Sequence, residues 1–333
     1  MTSYSRQSPV INHQFKIYVT MNSYNCFYTI EKPSLICIGA ALVDETYQCY
    51  SELLSGTSNP AKMHKSAGGV ARNIAHNLAL LENNVEIITH FGFDADGNWL
   101  KEECKNAGIG INHSLTNNTN TGKYVAIISP NGELYTAAVS TQFENQITVE
   151  FLETKVTFFK TASLILMDCN LSKKSLKWII NFSRNENIPC IIEPVSIEKA
   201  ERLKDIDLSK VLLITPNMDE LKAINFHQNR NSKKTLIKNV IEKGVQFLWV
   251  RNGKEGSEIF SKELNHKQNA PQANVIDSTG AGDAALAGWI HAWLEGETPE
   301  KCVEYGHAMA KIVLEVHGAI NDKLNINLLK ENL

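Results

Sequence analysis

An α/β fold, with a largely parallel central sheet covered by helices on both faces, is predicted by three observations. From residue 34 onward, short apolar runs alternate with segments of helical periodicity. The runs are apolar at almost every position, as in Ser34 to Ala41 (SLICIGAA), which is the pattern of strands buried on both faces. Toward the C-terminus a turn of small residues, Gly280-Ala281-Gly282, leads straight into the amphipathic run Ala284 to Leu294, so the turn opens a helix.

In chain order, residues 1–33 are rich in Ser, Asn, Tyr and Gln and lack the basic start and apolar core of a signal peptide. They are expected to be an extension, disordered or family-specific, ahead of a main domain over 34–333. Ser34 to Ala41 is the first strand. Gly69 to Leu81 carries Val70, Ile74, Leu78 and Leu81 at helical spacing. Further strands are expected at 85–90, 163–168, 189–193, 210–214 and 246–251, and helices near 172–186, 196–203, 217–223, 233–243, 281–295 and 299–315. Two stretches, 45–66 and 121–140, break the alternation. In the second, Ser129-Pro130-Asn131-Gly132 separates Tyr124–Ile128 from Glu133–Val139 and signals a hairpin.

A chain of 333 residues is long enough for two domains, or for one large α/β core with a small appendage. Lys and Arg number 33 against 36 acidic residues, so no global basic field recruits nucleic acid or an anionic membrane, and a small-molecule substrate is the simpler partner. The seven cysteines are odd in number and contain no Cys-x-x-Cys pair, which argues against a zinc site and a disulfide framework and for reduced thiols in the cytoplasm. No run approaches the roughly 20 apolar residues of a membrane span.

The most informative chemistry lies in Asp277-Ser278-Thr279-Gly280-Ala281-Gly282-Asp283. The first N–H groups of a helix have no partner inside it, and the helix dipole adds positive charge at the same end, so this turn is an anion site. Asp283 places a carboxylate beside it. Phosphoryl transfer to an alcohol needs both parts, donors for the charge on the transferring group and an acceptor for the hydroxyl proton. A second segment, Ala67-Gly68-Gly69-Val70-Ala71-Arg72-Asn73, sets a glycine pair ahead of a helix with an amide one turn in, a combination that suits vicinal hydroxyls and equally a helix start with a surface amide. The Walker A pattern and the His-Arg-Asp loop of protein kinases are absent from the sequence.

These segments resemble the signatures of the PfkB (ribokinase-like) sugar and nucleoside kinases, in the expected order from about residue 34 to residue 320. The resemblance implies a ribokinase-like three-layer sandwich with a small β-sheet lid, formed by the segments near 45–66 and 121–140 and often shared between two subunits, hence a homodimer. It implies that Asp283 is the catalytic base and Gly280, Ala281 and Gly282 the anion hole, with Asp44, Gly68, Gly69 and Asn73 holding the sugar. On the nucleotide side, Asn217 and Glu220 in Thr215-Pro216-Asn217-Met218-Asp219-Glu220 resemble the family's Asn-x-x-Glu motif, which organises Mg²⁺ and its waters around ATP; Asn217 also reads as a plain helix cap. Gly253 and Gly256 match the family's Gly-x-x-Gly turn near the nucleotide. Arg251 departs from the family, which usually has Ser or Thr there, and either contacts phosphate or faces solvent. Asp277 and Thr279 resemble the surroundings of a monovalent-cation (K⁺) site in some relatives.

Within the family, Gly56-Thr57-Ser58-Asn59-Pro60, Asp168-Cys169-Asn170-Leu171-Ser172 and Glu193-Pro194-Val195-Ser196 with Lys199 look like the pseudouridine-kinase subgroup. The expected reaction is therefore ATP-dependent phosphorylation of the nucleoside 5′-hydroxyl. Pseudouridine keeps a hydrogen on both ring nitrogens, so a selective site needs acceptors on the base edge, and Thr121, Asn170 and Glu193 are the polar residues available. The alternatives are another kinase of the family, acting on ribose, fructose or adenosine, and a non-catalytic sugar-binding regulator on the same fold.

Overall fold

The computed structural model describes residues 34–225 and 232–333, with the backbone of 17–22 and 25–30. Of the 1–33 extension, β1 (Ile17–Asn22) and β2 (Asn25–Ile30) pair antiparallel; the rest of that expectation lies outside the described residues. Next come β3 (Ser34–Ile38), β4 (Leu42–Cys49), β5 (Ala61–Gly68), α1 (Val70–Leu80), β6 (Asn84–Ile88), β7 (His90–Gly92) and α2 (Ala95–Asn106). Then β8 (Leu115–Asn117), β9 (Lys123–Ile128), β10 (Leu134–Ser140) and three short helices, α3 (Phe143–Gln146), α4 (Val149–Glu153) and α5 (Val156–Phe159), lead to β11 (Leu164–Asp168), α6 (Lys173–Glu186) and β12 (Cys190–Glu193). The last elements are α7 (Ile197–Ala200), β13 (Leu213–Ile214), α8 (Met218–Ile224), α9 (Lys233–Glu242), β14 (Phe247–Arg251), β15 (Ser257–Phe260), β16 (Asn265–Gln268), α10 (Ala281–Leu294), α11 (Pro299–Leu314) and α12 (Ile326–Glu331).

The central sheet has the order β16-β15-β14-β13-β12-β11-β3-β6, parallel from β14 through β6 and antiparallel at the β15–β16 edge. Successive strand residues point to opposite faces. Leu35 and Cys37 therefore join one core, with α1, α10 and α11, while Ile36 and Ile38 join the other, with α6, α8 and α9. Leu164 and Leu166 divide from Ile165 and Met167 in the same way, which is why these runs carry no polar alternation. The run after Gly282 is not amphipathic, as its sequence was expected to be. Every residue from Ala284 to Trp293 is buried, as in a helix packed on all sides.

The two breaks in the alternation form a separate four-stranded sheet, ordered β10-β9-β4-β5. Each break is a hairpin, and β4 pairs with β9 in parallel. At the tip of the second hairpin Ser129 N–H donates to Glu133 O at 2.8 Å and Gly132 N–H to Ser129 O at 2.9 Å. All of β10 is exposed. The small sheet is tied to α2 through Asp96, which pairs with Lys65 at 2.6 Å and Lys123 at 2.7 Å, while Lys123 also reaches Glu45 at 2.7 Å.

Helix α2 and the antiparallel edge strands were not anticipated. Asp94 and Gly97 read as turn residues, yet the Asp94 carboxylate accepts from Gly97 N–H at 2.6 Å and caps α2. Among the described residues no helix is long and apolar enough to cross a membrane. The chain runs from β3 to β6 on one side and later places β11 on the other, so the strand order reverses between β3 and β11. Ligands of open parallel sheets bind in the crevice at such a point, beyond the carboxyl ends of the strands.

Candidate active site

At that crevice β3 gives way to Gly39-Ala40-Ala41 and β11 ends in the fully buried Asp168. One Asp168 oxygen accepts from Ala40 N–H at 3.0 Å and Ala71 N–H at 3.1 Å, and the other from Asn170 N–H at 2.9 Å. Asp168 thus fastens the end of β3 to the start of α1. Sequence reading gave it no such role, because its partners lie far away along the chain. Gly69, with φ of 99°, makes the close turn against Ala40 that starts α1. Gly68 faces Asp44: a Cβ there would stand 2.1 Å from the Asp44 carboxylate, so the missing side chain is the space that carboxylate occupies. Burial pushes the Asp44 carboxyl up to about 6, partly opposed by the Arg72 guanidinium. Arg72 is itself buried and donates to Ala67 O at 3.0 Å and Asn73 Oδ1 at 3.2 Å.

Asp283 is the third residue of α10, whose N-cap Gly280 has φ of 73° and lies against Ala319. Asp277 braces this turn: its two oxygens accept from Thr279 N–H and Gly318 N–H, each at 2.9 Å. Burial works to raise the Asp277 carboxyl, but these backbone donors outweigh it and hold it below its ordinary value. The first ladder bond of α10 is Ala284 N–H to Gly280 O at 2.8 Å, so the N–H groups of Gly282 and Asp283 precede the helix ladder, while Ala281 N–H reaches back to Ser278 O at 3.4 Å. The Asp283 carboxylate meets Asn73 there, accepting from its Nδ2 at 2.9 Å. Arg72 fixes that amide from the other side. Burial pushes the Asp283 carboxyl up to about 7, Asn73 and Arg251 pulling it down and Glu193 and Asp168 adding to the rise. A carboxylate titrating near neutrality beside a set of outward N–H donors is suited to remove a hydroxyl proton.

Arg251 does not face solvent. Its Nη2 donates to both Glu193 oxygens at 2.8 and 2.9 Å and to Thr215 O at 2.7 Å, while Nη1 donates to Gly282 O at 3.0 Å. Glu193 also accepts from the Thr215 hydroxyl at 2.5 Å and from Val195 N–H at 3.3 Å. Both Glu193 oxygens, expected to read a base edge, accept from protein donors here. Thr121 is likewise engaged elsewhere. Its hydroxyl donates to Asp94 at 2.7 Å and accepts from Gly92 N–H at 3.0 Å, beside a cavity of about 380 Å³ lined by residues 118–121 and 140–142. Asn170 stays close to Asp168, and its side-chain oxygen accepts from the Lys199 ammonium.

On the other flank, Asn217 caps α8, accepting from Asp219 and Glu220 N–H at 2.9 Å, and Glu220 Oε2 returns the bond from Asn217 N–H at 2.9 Å. This is the complete capping box. It leaves Asn217 Nδ2 and Glu220 Oε1 outside those bonds. Asn217 lies in a bridge with Arg251, and the turn Gly253–Glu255 closes through Asn252 N–H to Gly256 O at 2.8 Å, so these three elements adjoin. Burial raises the Glu220 carboxyl, and nearby Glu193 raises it further. Among the described residues no three His, Cys, Asp or Glu side chains form a direct metal-ligand cluster. The remaining Glu220 Oε1, a hard oxygen in an anionic surrounding, fits a Mg²⁺ that keeps its water and takes phosphate oxygens, and Asn217 Nδ2 can donate to one of those waters or to a phosphate.

The fold and this centre define a kinase with a hydroxyl group as phosphoryl acceptor. The chain belongs to the pfkB family of carbohydrate kinases, whose sequence profile matches residues 32–326. It is 29% identical over 302 residues to the pseudouridine kinase of Escherichia coli (strain K12), covering 89% of this chain and 95% of that one. It is 31% identical over 274 residues to an uncharacterised sugar kinase of the same strain, covering 80% and 73%. Its fold matches that of Arabidopsis thaliana ribokinase solved with ribose and ATP, with a TM-score of 0.78 at 20% identity, over 91% of this chain and 99% of that one.

Proposed function

We propose that this chain transfers the γ-phosphoryl group of ATP to the 5′-hydroxyl of pseudouridine, with Mg²⁺. The observation that carries the catalytic part is the Asp283 carboxylate, held by Asn73 at 2.9 Å at the open end of α10. Asp283 takes the hydroxyl proton as the acceptor oxygen attacks, and the N–H groups of Gly280, Ala281 and Gly282 receive the charge on the transferring group. Asp44 accepts hydrogen bonds from two ribose hydroxyls in the space left by Gly68, with Gly69 and Asn73 beside it, and so aims the primary alcohol at the base. Asn217, Glu220 and the Gly253–Gly256 turn border the nucleotide. Mg²⁺ there would supply charge neutralisation between the phosphates, and the segment around Asp277 and Thr279 would border a K⁺ ion.

The choice of pseudouridine is supported by the near full-length likeness to a pseudouridine kinase and by Asn170 with Lys199 beside the crevice. The 31% likeness to a sugar kinase favours, as a second reading, a free sugar as acceptor. The fully exposed edge strand β10 supports pairing of two copies through the small sheet, which would act as a lid. A coupled ADP-release assay over pseudouridine, uridine, adenosine, ribose and fructose tests the substrate. Pseudouridine is expected to give the highest kcat/KM, and a preference for a free sugar overturns the assignment.

A further inference from the structure

We propose that Arg251 is a positioning residue for phosphoryl transfer: one guanidinium clamps the carbonyl face of the anion turn to Glu193 and the end of β13, and it does so without being a ligand of the nucleotide. The inference rests on Asp283 as proton acceptor in the family's reaction but not on the identity of the nucleoside. Arg251 lies at the end of β14, one strand beyond β13 and two beyond β12. From there its fork reaches three separate segments: Nη1 to Gly282 O at 3.0 Å, and Nη2 to Thr215 O at 2.7 Å and to Glu193 at 2.8 and 2.9 Å. A carbonyl and the N–H of the following residue belong to one rigid peptide plane. Holding Gly282 O therefore fixes the Asp283 N–H, and with it the side chain that begins one atom later. Lysine, a point charge on a flexible stem, cannot bridge these acceptors in a plane.

The same contact sets charge. The groups facing the Asp283 carboxylate are Asn73 from α1, with the Arg72 cation behind it, Asp168 from β11, Glu193 from β12 and Arg251 from β14. Arg251 lowers the Asp283 carboxyl, and it is paired with Glu193, whose charge raises it. Burial alone would weaken the guanidinium, but Glu193 and Glu220 hold it cationic.

The test compares Arg251→Lys, Arg251→Met, Glu193→Gln and the neutral double variant Arg251→Met/Glu193→Gln, all in the full chain. Steady-state turnover, nucleotide affinity by calorimetry and the pH profile of kcat are measured for each. Asp283→Asn serves as control. Arg251→Lys should lose about tenfold in kcat with ATP affinity within about twofold of the parent, because the planar clamp and not the charge is lost. Arg251→Met should move the acid limb of kcat upward by about one pH unit and Glu193→Gln should move it downward, the direction one neighbouring charge imposes on a carboxylate. The double variant, which leaves no buried unpaired charge, should return the limb toward the parent while kcat stays low. If Arg251→Lys and the double variant turn over like the parent, or if they lose ATP affinity tenfold at unchanged kcat, Arg251 is not a positioning residue. Normal turnover of Asp283→Asn would instead remove the proton-acceptor reading itself.

Discussion

Replacing Asp283 with Asn should stabilise the protein while stopping its chemistry. The carboxyl titrates near 7 instead of 3.8 because folding buries it among Glu193 and Asp168. Its folded pKa is raised, so between those two values the folded chain binds the proton more tightly than the unfolded one. Stability therefore falls as pH rises through this window, and the full cost is present above about pH 7. At about 1.4 kcal/mol per pH unit the window corresponds to about 4 kcal/mol, of which roughly half should survive relaxation of a site that is only partly closed to water. The substituted amide carries no charge at any pH, and its side-chain oxygen can keep the bond from Asn73. The variant should thus gain about 2 kcal/mol at pH 8, or about 3 °C in melting temperature for a chain of this size. At pH 5.5 the parent carboxyl is mostly protonated, and the gap should shrink to about half. Calorimetric melts of both proteins at the two pH values, without ligands, measure this, and kcat should fall by about 10²- to 10⁴-fold. A variant that melts at or below the parent at pH 8, or a gap that ignores pH, would refute the account of a strained, anionic centre.

Other expectations follow from the same geometry. Asp44→Ala should weaken acceptor binding by about 1.5–3 kcal/mol in calorimetry, the size of a charge-assisted hydrogen bond. Because the Asp44 carboxyl sits at about 6, acceptor affinity in the parent should decline as pH drops below that value, and it should not do so in Asp44→Ala. Gly68→Ala puts a methyl group 2.1 Å from the Asp44 carboxylate, so KM for the acceptor should rise by roughly tenfold or more with KM for ATP unchanged. An unaltered acceptor KM would place the sugar elsewhere. If the base edge is read by an acceptor, kcat/KM should fall in the order pseudouridine, uridine, N1-methylpseudouridine, since uridine lacks the N1 proton and the methyl compound adds bulk as well. Equal values for the three would make the chain a general nucleoside kinase.

What the sequence could reveal at this centre was whatever a short contiguous segment contains. Gly280 to Asp283 read as an anion turn with a carboxylate because a helix start, its open N–H groups and the next side chain are consecutive residues. The strands were legible for a similar reason: burial on both faces removes polar alternation from a run of five residues, as in β11. Helix α10 was placed correctly but its surroundings were misjudged. Its run of Ala, Gly, Leu and Trp is apolar all round, and only the packing of α1, α11 and the sheet against it explains that. Helix α2 was missed because its cap is built from Asp94 and Gly97, residues that serve turns equally well.

Glu193 shows where local reading ends. A buried acidic residue at the end of a strand offers two oxygens, and nothing in Glu193-Pro194-Val195 says whether a ligand or a side chain will claim them. The claimant, Arg251, comes 58 residues later, and Thr215 comes 22 later. Both arrive because β12, β13 and β14 lie side by side in parallel, which brings the carboxyl ends of all three strands to one edge. The same topology explains how Arg251 can stand where the resemblance led us to expect Ser or Thr. With Glu193 two strands away, a guanidinium there is a paired charge, and the isolated position in the sequence gave no sign of the partner that makes it tolerable. The partners of a charged residue are set by strand order, so the residues that hold a catalytic group are harder to read from a sequence than the group itself.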